Sequence, residues 1–195
     1  PPQEEEVDGV PGEQGEGRDY IALRSTEYGE ITDPDDDGIT WRFTEGVDTS
    51  LSGDGRVLTA PNDGDFRSRQ QSSAIYRLRF RQPGTYRAYF RVRGFDRNSN
   101  SIWRPPGFDR NPDVNMNTGN SGRFQWISQG DYTVTQEDVD ENRLLELIVG
   151  VREFRAQLDA FVLSLDGDLE GPDLNALFGQ GPAVTSGVRP VAEVA

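Results

Sequence analysis

The chain's 195 residues include 34 Asp and Glu against 20 basic residues, a formal charge of −14, and every basic residue is arginine. Such a charge argues against nucleic acid as a partner, because a phosphate backbone requires a cationic surface. The absence of cysteine and histidine removes thiolate and imidazole zinc sites, cysteine nucleophiles and Ser-His-Asp triads from consideration.

Residues 1–18 (PPQEEEVDGVPGEQGEGR) combine Pro, Gly and Glu and read as an acidic arm without structure of its own. Strands are expected over 19–24 (DYIALR), 39–44 (ITWRFT) and 56–60 (RVLTA). Residues 72–94 (SSAIYRLRFRQPGTYRAYFRVRG) hold two alternating runs joined at Pro83-Gly84. A period of two predicts a half-buried antiparallel hairpin, with Ala74, Tyr76, Leu78 and Phe80 inward on one arm and Tyr86, Ala88, Phe90 and Val92 on the other. A three-residue loop then sets Arg81 opposite Arg87 and Arg77 opposite Arg91. In that arrangement Arg77, Arg79, Arg81, Arg87, Arg91 and Arg93 share one face, which requires an anionic complement because like charges directly opposed are unfavourable.

Between residues 98 and 122 the chain is rich in Asn, Pro and Gly and has room only for short elements; a loop this long in a compact domain is usually functional or disordered. The pentapeptide GFDRN occurs at 94–98 and again at 107–111, too brief a match to signal a repeat architecture. Further strands are expected over 123–128 (RFQWIS) and 132–135, then an acidic turn at 137–141. The run 144–153 (LLELIVGVRE) reads as a strand because of its β-branched residues and Gly150, and 158–165 (LDAFVLSL) closes the core. Residues 167–195 form a Gly/Pro-rich tail with a short helix at 172–178 and an apolar end at 184–194. One all-β domain over 19–166, an antiparallel β-sandwich with extended N- and C-terminal tails, follows from many short strands separated by turn signals.

The motifs within this domain resemble the jelly-roll carbohydrate-binding modules, galactose-binding-like sandwiches of secreted bacterial proteins. The matching pieces are Ser25-Thr26-Glu27-Tyr28; Leu51-Ser52-Gly53-Asp54-Gly55 before a strand; Pro83-Gly84-Thr85-Tyr86-Arg87 leading into Phe90-Arg91-Val92-Arg93; and Val151-Arg152-Glu153 followed by residues 158–163. Ser-Thr stands where the family usually has a small residue before its first glutamate. The resemblance implies a jelly roll in which an early glutamate and an aspartate near the last strand hold a structural calcium. Glu27, Glu30 and Asp159 are the matching carboxylates, with backbone carbonyls completing the roughly six to eight oxygens calcium needs. Pairing of Asp159 with Arg152 or Arg155 is the alternative.

A second calcium candidate comes from spacing: Asp33, Asp35, Asp37 and Gly38 match positions 1, 3, 5 and 6 of a DxDxDG loop. Position 12 is Thr44, with Glu45 one residue late, so the loop lacks its closing carboxylate and reads equally as a solvated acidic turn. Sugar binding needs aromatic faces and planar polar groups, types supplied by Trp103, Phe108 and Trp126 with Asn98, Asn100 and Arg104. Trp41 is assigned to the core, Trp126 to either packing or binding, and Trp103 is favoured because its neighbours are polar. Three complements suit the arginine face: acids on an adjacent strand, the arm Glu4-Glu5-Glu6, or an anionic polysaccharide contacted by guanidinium forks.

Paired acids such as Asp63 and Asp65, or Glu137 and Asp138, occur only as near neighbours in turns, so a non-enzymatic protein is expected. No apolar run approaches the roughly 18 residues of a membrane span. A start at Pro1 without Met suggests a removed signal peptide or an excised segment, and the acidic, lysine-free composition suits a secreted or cell-surface location. Two roles follow. The first is a structural or adhesive subunit of a filament or surface assembly, where the arm or residues 184–194 cover a sheet edge of the next copy by strand addition. The alternative is a glycan-binding module of a secreted polysaccharide-processing protein. The sequence leans narrowly to the first.

Overall fold

In a computed structural model of the protein, the structure describes residues 12–62 and 72–179. The arm acids Glu4, Glu5 and Glu6, the pair Asp63 and Asp65, and the apolar end 184–194 lie outside the described residues.

Twelve strands and two short helices follow in order among the described residues: β1 (Gly12–Glu13), β2 (Tyr20–Arg24), β3 (Glu30–Ile31), β4 (Arg42–Thr44), β5 (Val57–Thr59), β6 (Ser73–Arg79), β7 (Gly84–Arg93), β8 (Ser101–Arg104), β9 (Val114–Asn117), β10 (Gln125–Val134), α1 (Gln136–Asp140), β11 (Leu144–Gly150), β12 (Gln157–Ser164) and α2 (Gly171–Ala176). They form two facing sheets. The first runs β1-β6-β11-β8-β9 with β3 also on β6, and the second β10-β7-β12-β5-β4 with β2 on β12. All pairings are antiparallel except β1 with β6. None of the described helices is long and apolar enough to cross a membrane.

The two alternating runs form strands as expected, but they do not form a hairpin. β6 joins the first sheet, pairing with β11, while β7 joins the second, between β10 and β12. The chain crosses the sandwich at residues 80–83, so the two apolar faces look at each other across the core instead of lying side by side. Tyr76, Leu78, Tyr86, Ala88, Phe90 and Val92 are all fully buried. The Tyr76 ring meets Phe161 edge-on at 4.8 Å, and Phe80 packs on Tyr86 at 4.7 Å. Burial of each such ring contributes about 1.5–3 kcal/mol.

This crossing also corrects the single arginine face. Arg77 lies on the outer surface of the first sheet, opposite Glu146, and pairs with it at 3.2 Å and with Glu30 at 2.9 Å. Arg79 follows on the same surface. Arg87, Arg91 and Arg93 point outward from the second sheet, and Arg87 pairs with its cross-strand partner Asp131 at 2.5 Å. Acids on neighbouring strands are therefore the main complement, because a cross-strand opposite-charge pair relieves the repulsion that six clustered cations would suffer.

Structure begins earlier than the composition of the arm implies. Gly12 and Glu13 add a parallel strand to β6, at a spot where a Cβ on Gly12 would lie 2.5 Å from Leu78 and 2.6 Å from the Arg77 carbonyl. Glu13 pairs with Arg81 at 2.5 Å. Next to it, Gln14 is fully buried and caps the crossing: its Oε1 accepts from Arg81 N at 2.8 Å and Gln82 N at 3.2 Å, and its Nε2 donates to the Arg18 carbonyl at 2.7 Å. The long 98–122 stretch holds the β8–β9 hairpin, and the acidic turn after β10 is the one-turn helix α1, capped by Thr135 and Asp138 acting reciprocally.

A second apolar cluster lies on the outer surface of the second sheet. Tyr20, Ala22, Tyr89, Ala160 and Val162 are covered there by Leu174 of α2 and by Phe178. The expected C-terminal helix thus packs on its own domain. Replacing Gln14 by Ala removes the acceptor of the part-buried Arg81 and Gln82 N–H groups at the crossing, at a cost of about 0.5–1.5 kcal/mol per bond; the urea midpoint should fall with an unchanged denaturant slope.

Candidate functional site

The outer surface of the second sheet is divided along its strands. Its middle is closed by α2 and, next to that, by residues 49–51, which Arg91 and Asp159 hold down. Arg91 Nη1 donates to the Thr49 carbonyl at 2.8 Å and pairs closely with Asp159, while Asp159 accepts from Ser50 Oγ at 2.6 Å and Leu51 N at 3.0 Å. Asp159 occupies a bulge in β12, between Leu158 and Ala160, which turns its fully buried carboxylate toward β7.

Beyond this closed region the outer surface is partly exposed: Arg42 is exposed, Arg93 and Thr59 are half-buried, and Gln157 is buried among them. Arg93 of β7, Gln157 of β12, Thr59 of β5 and Arg42 of β4 are successive register partners across four strands. Their neighbours Val92, Leu158, Leu58 and Phe43 point into the core, so these four face outward, across three inter-strand steps of about 14 Å in all. The row is wired together. Arg93 Nε donates to Gln157 Oε1 at 2.7 Å, Gln157 Nε2 donates to Thr59 Oγ1 at 3.0 Å, and the Thr44 and Thr59 hydroxyls are 2.7 Å apart.

Loops border the row at the end of β7. Arg93 lies over Phe124 at 4.5 Å and over Phe95 at 5.0 Å, Arg155 stacks on Phe95 at 4.7 Å, and Arg91 shares Phe124 at 4.9 Å. Arg155 holds φ of +67°, a left-handed conformation costing of order 1 kcal/mol in a non-glycine residue. Its neighbour Phe154 is the one aromatic side chain classed as exposed among the described residues, at 39%. Two loops, β7–β8 and β9–β10, meet at Gly94, where a Cβ would lie 1.9 Å from the Gly119 carbonyl, 2.6 Å from Thr118 Oγ1 and 2.7 Å from the Ser99 carbonyl. Only glycine lets them close together. Burial pulls the Arg93 guanidinium below its usual pKa range, with the Asp159 charge opposing the shift.

No family model and no curated protein matches the sequence. Solved structures do match. A GH26-CBM35 β-(1,4)-mannanase from Podospora anserina superimposes with a TM-score of 0.54 at 11% identity, over 79% of this chain and 29% of that one. A xanthan lyase from Paenibacillus gives 0.50 at 14% identity, over 74% and 13%. The C-terminal CBM6 of a laminarinase from Zobellia galactanivorans gives 0.48 at 13%, over 74% and 98%. The chain has the jelly-roll fold of carbohydrate-binding modules. At such identities the likeness concerns the fold alone.

Against this fold, the six residues expected to bind sugar are scattered. Trp103 is 9% exposed on the outer surface of the first sheet, with Arg152 over its ring at 4.9 Å. The lid on the indole is Arg152, distant in sequence, so the polar neighbours along the chain misled. Phe108 plugs the core between Phe80 and Tyr132, and Arg104 turns to Gln129 and the Pro105 carbonyl. Trp126 points outward but lies under the C-terminal segment, its indole N–H donating to Asn175 at 2.8 Å and its ring against Phe178. Asn98 and Asn100 lie in the loop after Gly94, where their N–H groups donate to Asp96 and Glu153.

The carboxylates expected to bind calcium are likewise separated. Asp159 is taken up by Arg91, Ser50 and Leu51, not by Arg152 or Arg155; Glu30 serves Arg77, and Glu27 accepts from Arg24 N at 2.6 Å. Burial raises the pKa of Glu27, opposed by that hydrogen bond. In the acidic loop, Asp33 and Asp37 accept from the N–H groups of Gly38 and Ile39, and Asp35 is exposed. Among the described residues no three carboxylates gather at metal-holding spacing. These donors do not fit a calcium ion: the guanidinium of Arg91 supplies the cation that Asp159 needs.

Two outcomes follow. Arg91→Met should cost about 3–5 kcal/mol, because it leaves the Asp159 charge buried and unpaired, whereas calcium or a chelator should leave the wild-type thermal midpoint unchanged. Gly94→Ala should lower the midpoint and loosen the site loops, seen as faster amide exchange at residues 95–100 and 118–122.

Proposed function

We infer that the domain is a non-catalytic glycan-binding module of a secreted polysaccharide-processing protein. The observation that carries this reading is the row Arg93–Gln157–Thr59–Thr44, a set of planar and hydroxyl groups already ordered by mutual hydrogen bonds, with the exposed Phe154 three residues before Gln157 in the loop that leads into β12. A few convergent polar groups next to an aromatic ring are what a sugar's hydroxyls and apolar face require. The jelly-roll fold supports the reading, since carbohydrate-binding modules are found among the structures that share it.

Ring faces of Phe95 and Phe124 are engaged by guanidinium groups, so recognition here relies on hydrogen bonds, with Phe154 as the ring left for stacking. The alternative of an assembly subunit depended on both tails. Residues 180–195 and 1–11 lie outside the described residues, and the described part of the C-terminal tail covers this domain's own sheet. The likeness to carbohydrate-binding modules favours binding over assembly.

A polysaccharide array, followed by affinity electrophoresis in the retained polymer, tests the reading. Wild type should be retarded, and Phe154→Ala and Gln157→Ala should each weaken binding roughly 5–50-fold, as expected for losing a stacking ring or the group that orders the row. Retention unaffected by both substitutions would remove this surface as the site.

A further inference from the structure

Within this row one side chain differs from its relatives. Of the six arginines that begin with Arg77, four meet a carboxylate: Arg77, Arg81, Arg87 and Arg91. Arg93 meets none among the described residues. Its Nε is anchored on Gln157, which is 3% exposed and itself fastened to Thr59, and its plane is steadied by two phenyl rings. Nη1 and Nη2 have no acceptor among the described residues and are not among the buried unpartnered atoms, so this edge of the fork is open to solvent. Arg79, on the other outer surface, has neither the rings nor the anchor.

The surroundings add to the demand for an anion. Arg91 shares Phe124 and Arg155 shares Phe95, but each of them has a carboxylate of its own, Asp159 for Arg91 and Asp96 at 3.8 Å for Arg155, which leaves Arg93 as the cation of the three without an ion-pair partner among the described residues. Burial makes the unpaired cation expensive, and a neutral hydroxyl does not offset it. A planar group with two equivalent oxygens matches two parallel N–H donors, whereas a point cation would not be specific for it. Resting on the reading of this surface as a glycan site, the geometry points to Arg93 as the receptor for the carboxylate of an acidic sugar, a uronate unit within a polysaccharide, gripped by the Nη1 and Nη2 edge.

The test uses the full chain on arrayed uronate polysaccharides, each beside its carboxyl-reduced neutral form, together with sulfated polymers. Wild type, Arg93→Lys and Arg110→Gln are compared, the last removing a charge from an exposed position outside the row. Carboxyl reduction should weaken wild-type binding roughly 10-fold or more, and Arg93→Lys should lose a similar factor on the acidic polymer only, as expected for losing a charge-assisted fork. Arg110→Gln should bind like wild type. Equal binding to acidic and reduced forms, or an unaffected Arg93→Lys, overturns the carboxylate assignment while leaving glycan binding intact. Preference for sulfated over uronate polymers overturns it as well. Failure to bind any polymer overturns both readings. Should Arg93→Lys unfold, the wild-type comparison of acidic and reduced forms decides alone.

Discussion

The structure depends on where the chain crosses between sheets. At residues 80–83 it leaves the first sheet and enters the second, so that β6 and β7 contribute opposing walls of one core. Had the two runs paired, their arginines would have faced one another on one surface at like-charge cost. Crossing sends them to opposite outer surfaces, where Glu146 and Asp131 stand on neighbouring strands. Gln14 seals the crossing by serving the N–H groups that the turn leaves over, and so an apparently featureless arm becomes part of the fold.

From this arrangement the division of the second sheet's outer surface follows. An isolated sheet exposes one whole surface, and this one disposes of most of it. Its apolar middle, around Tyr89 and Val162, takes α2 as a cover. Next to that, the Arg91–Asp159 pair clamps residues 49–51 onto the sheet. A buried ion pair is a weak source of net stability, since desolvation offsets the attraction. Its effect here is positional: it fixes the edge of the cover and leaves the next row, two residues along β7, outside it among the described residues.

Much of this was legible in the sequence, for a physical reason that also marks its limit. Alternation reports which side chains face inward, and Tyr76, Leu78, Tyr86, Phe90, Leu147 and Phe161 are all buried as the period requires. It carries no information about which sheet a strand joins, and that is why the hairpin was read wrongly while its inner residues were read correctly. Local composition misled in another way. Trp103 stands among polar residues, but it is part of the β8–β9 hairpin, opposite Asn115, and Arg152, distant in sequence, closes over the ring. The two GFDRN copies show the same limit: Phe108 enters the core and Phe95 stacks between arginines on the surface. Identical pentapeptides take opposite environments because tertiary contacts, not local sequence, choose which ring is covered. Phe154 carried only the faint signal of an aromatic residue in a charged turn between two strong strands.

A surface left open is a candidate for binding only if it is ordered before the ligand arrives, because immobilising rotamer-rich side chains costs about 0.5–1.5 kcal/mol each. Here that ordering is built from the backbone outward. Gly94 allows the loops carrying Ser99, Thr118 and Gly119 to approach closer than any side chain would permit, which sets Phe95 and Phe124 on either side of the β7 terminus. The rings then hold the guanidinium of Arg93, and Gln157 sets its rotation in the plane. Rigidity and unmet charge coincide at Arg93, and that coincidence locates selectivity at the loop end of the row.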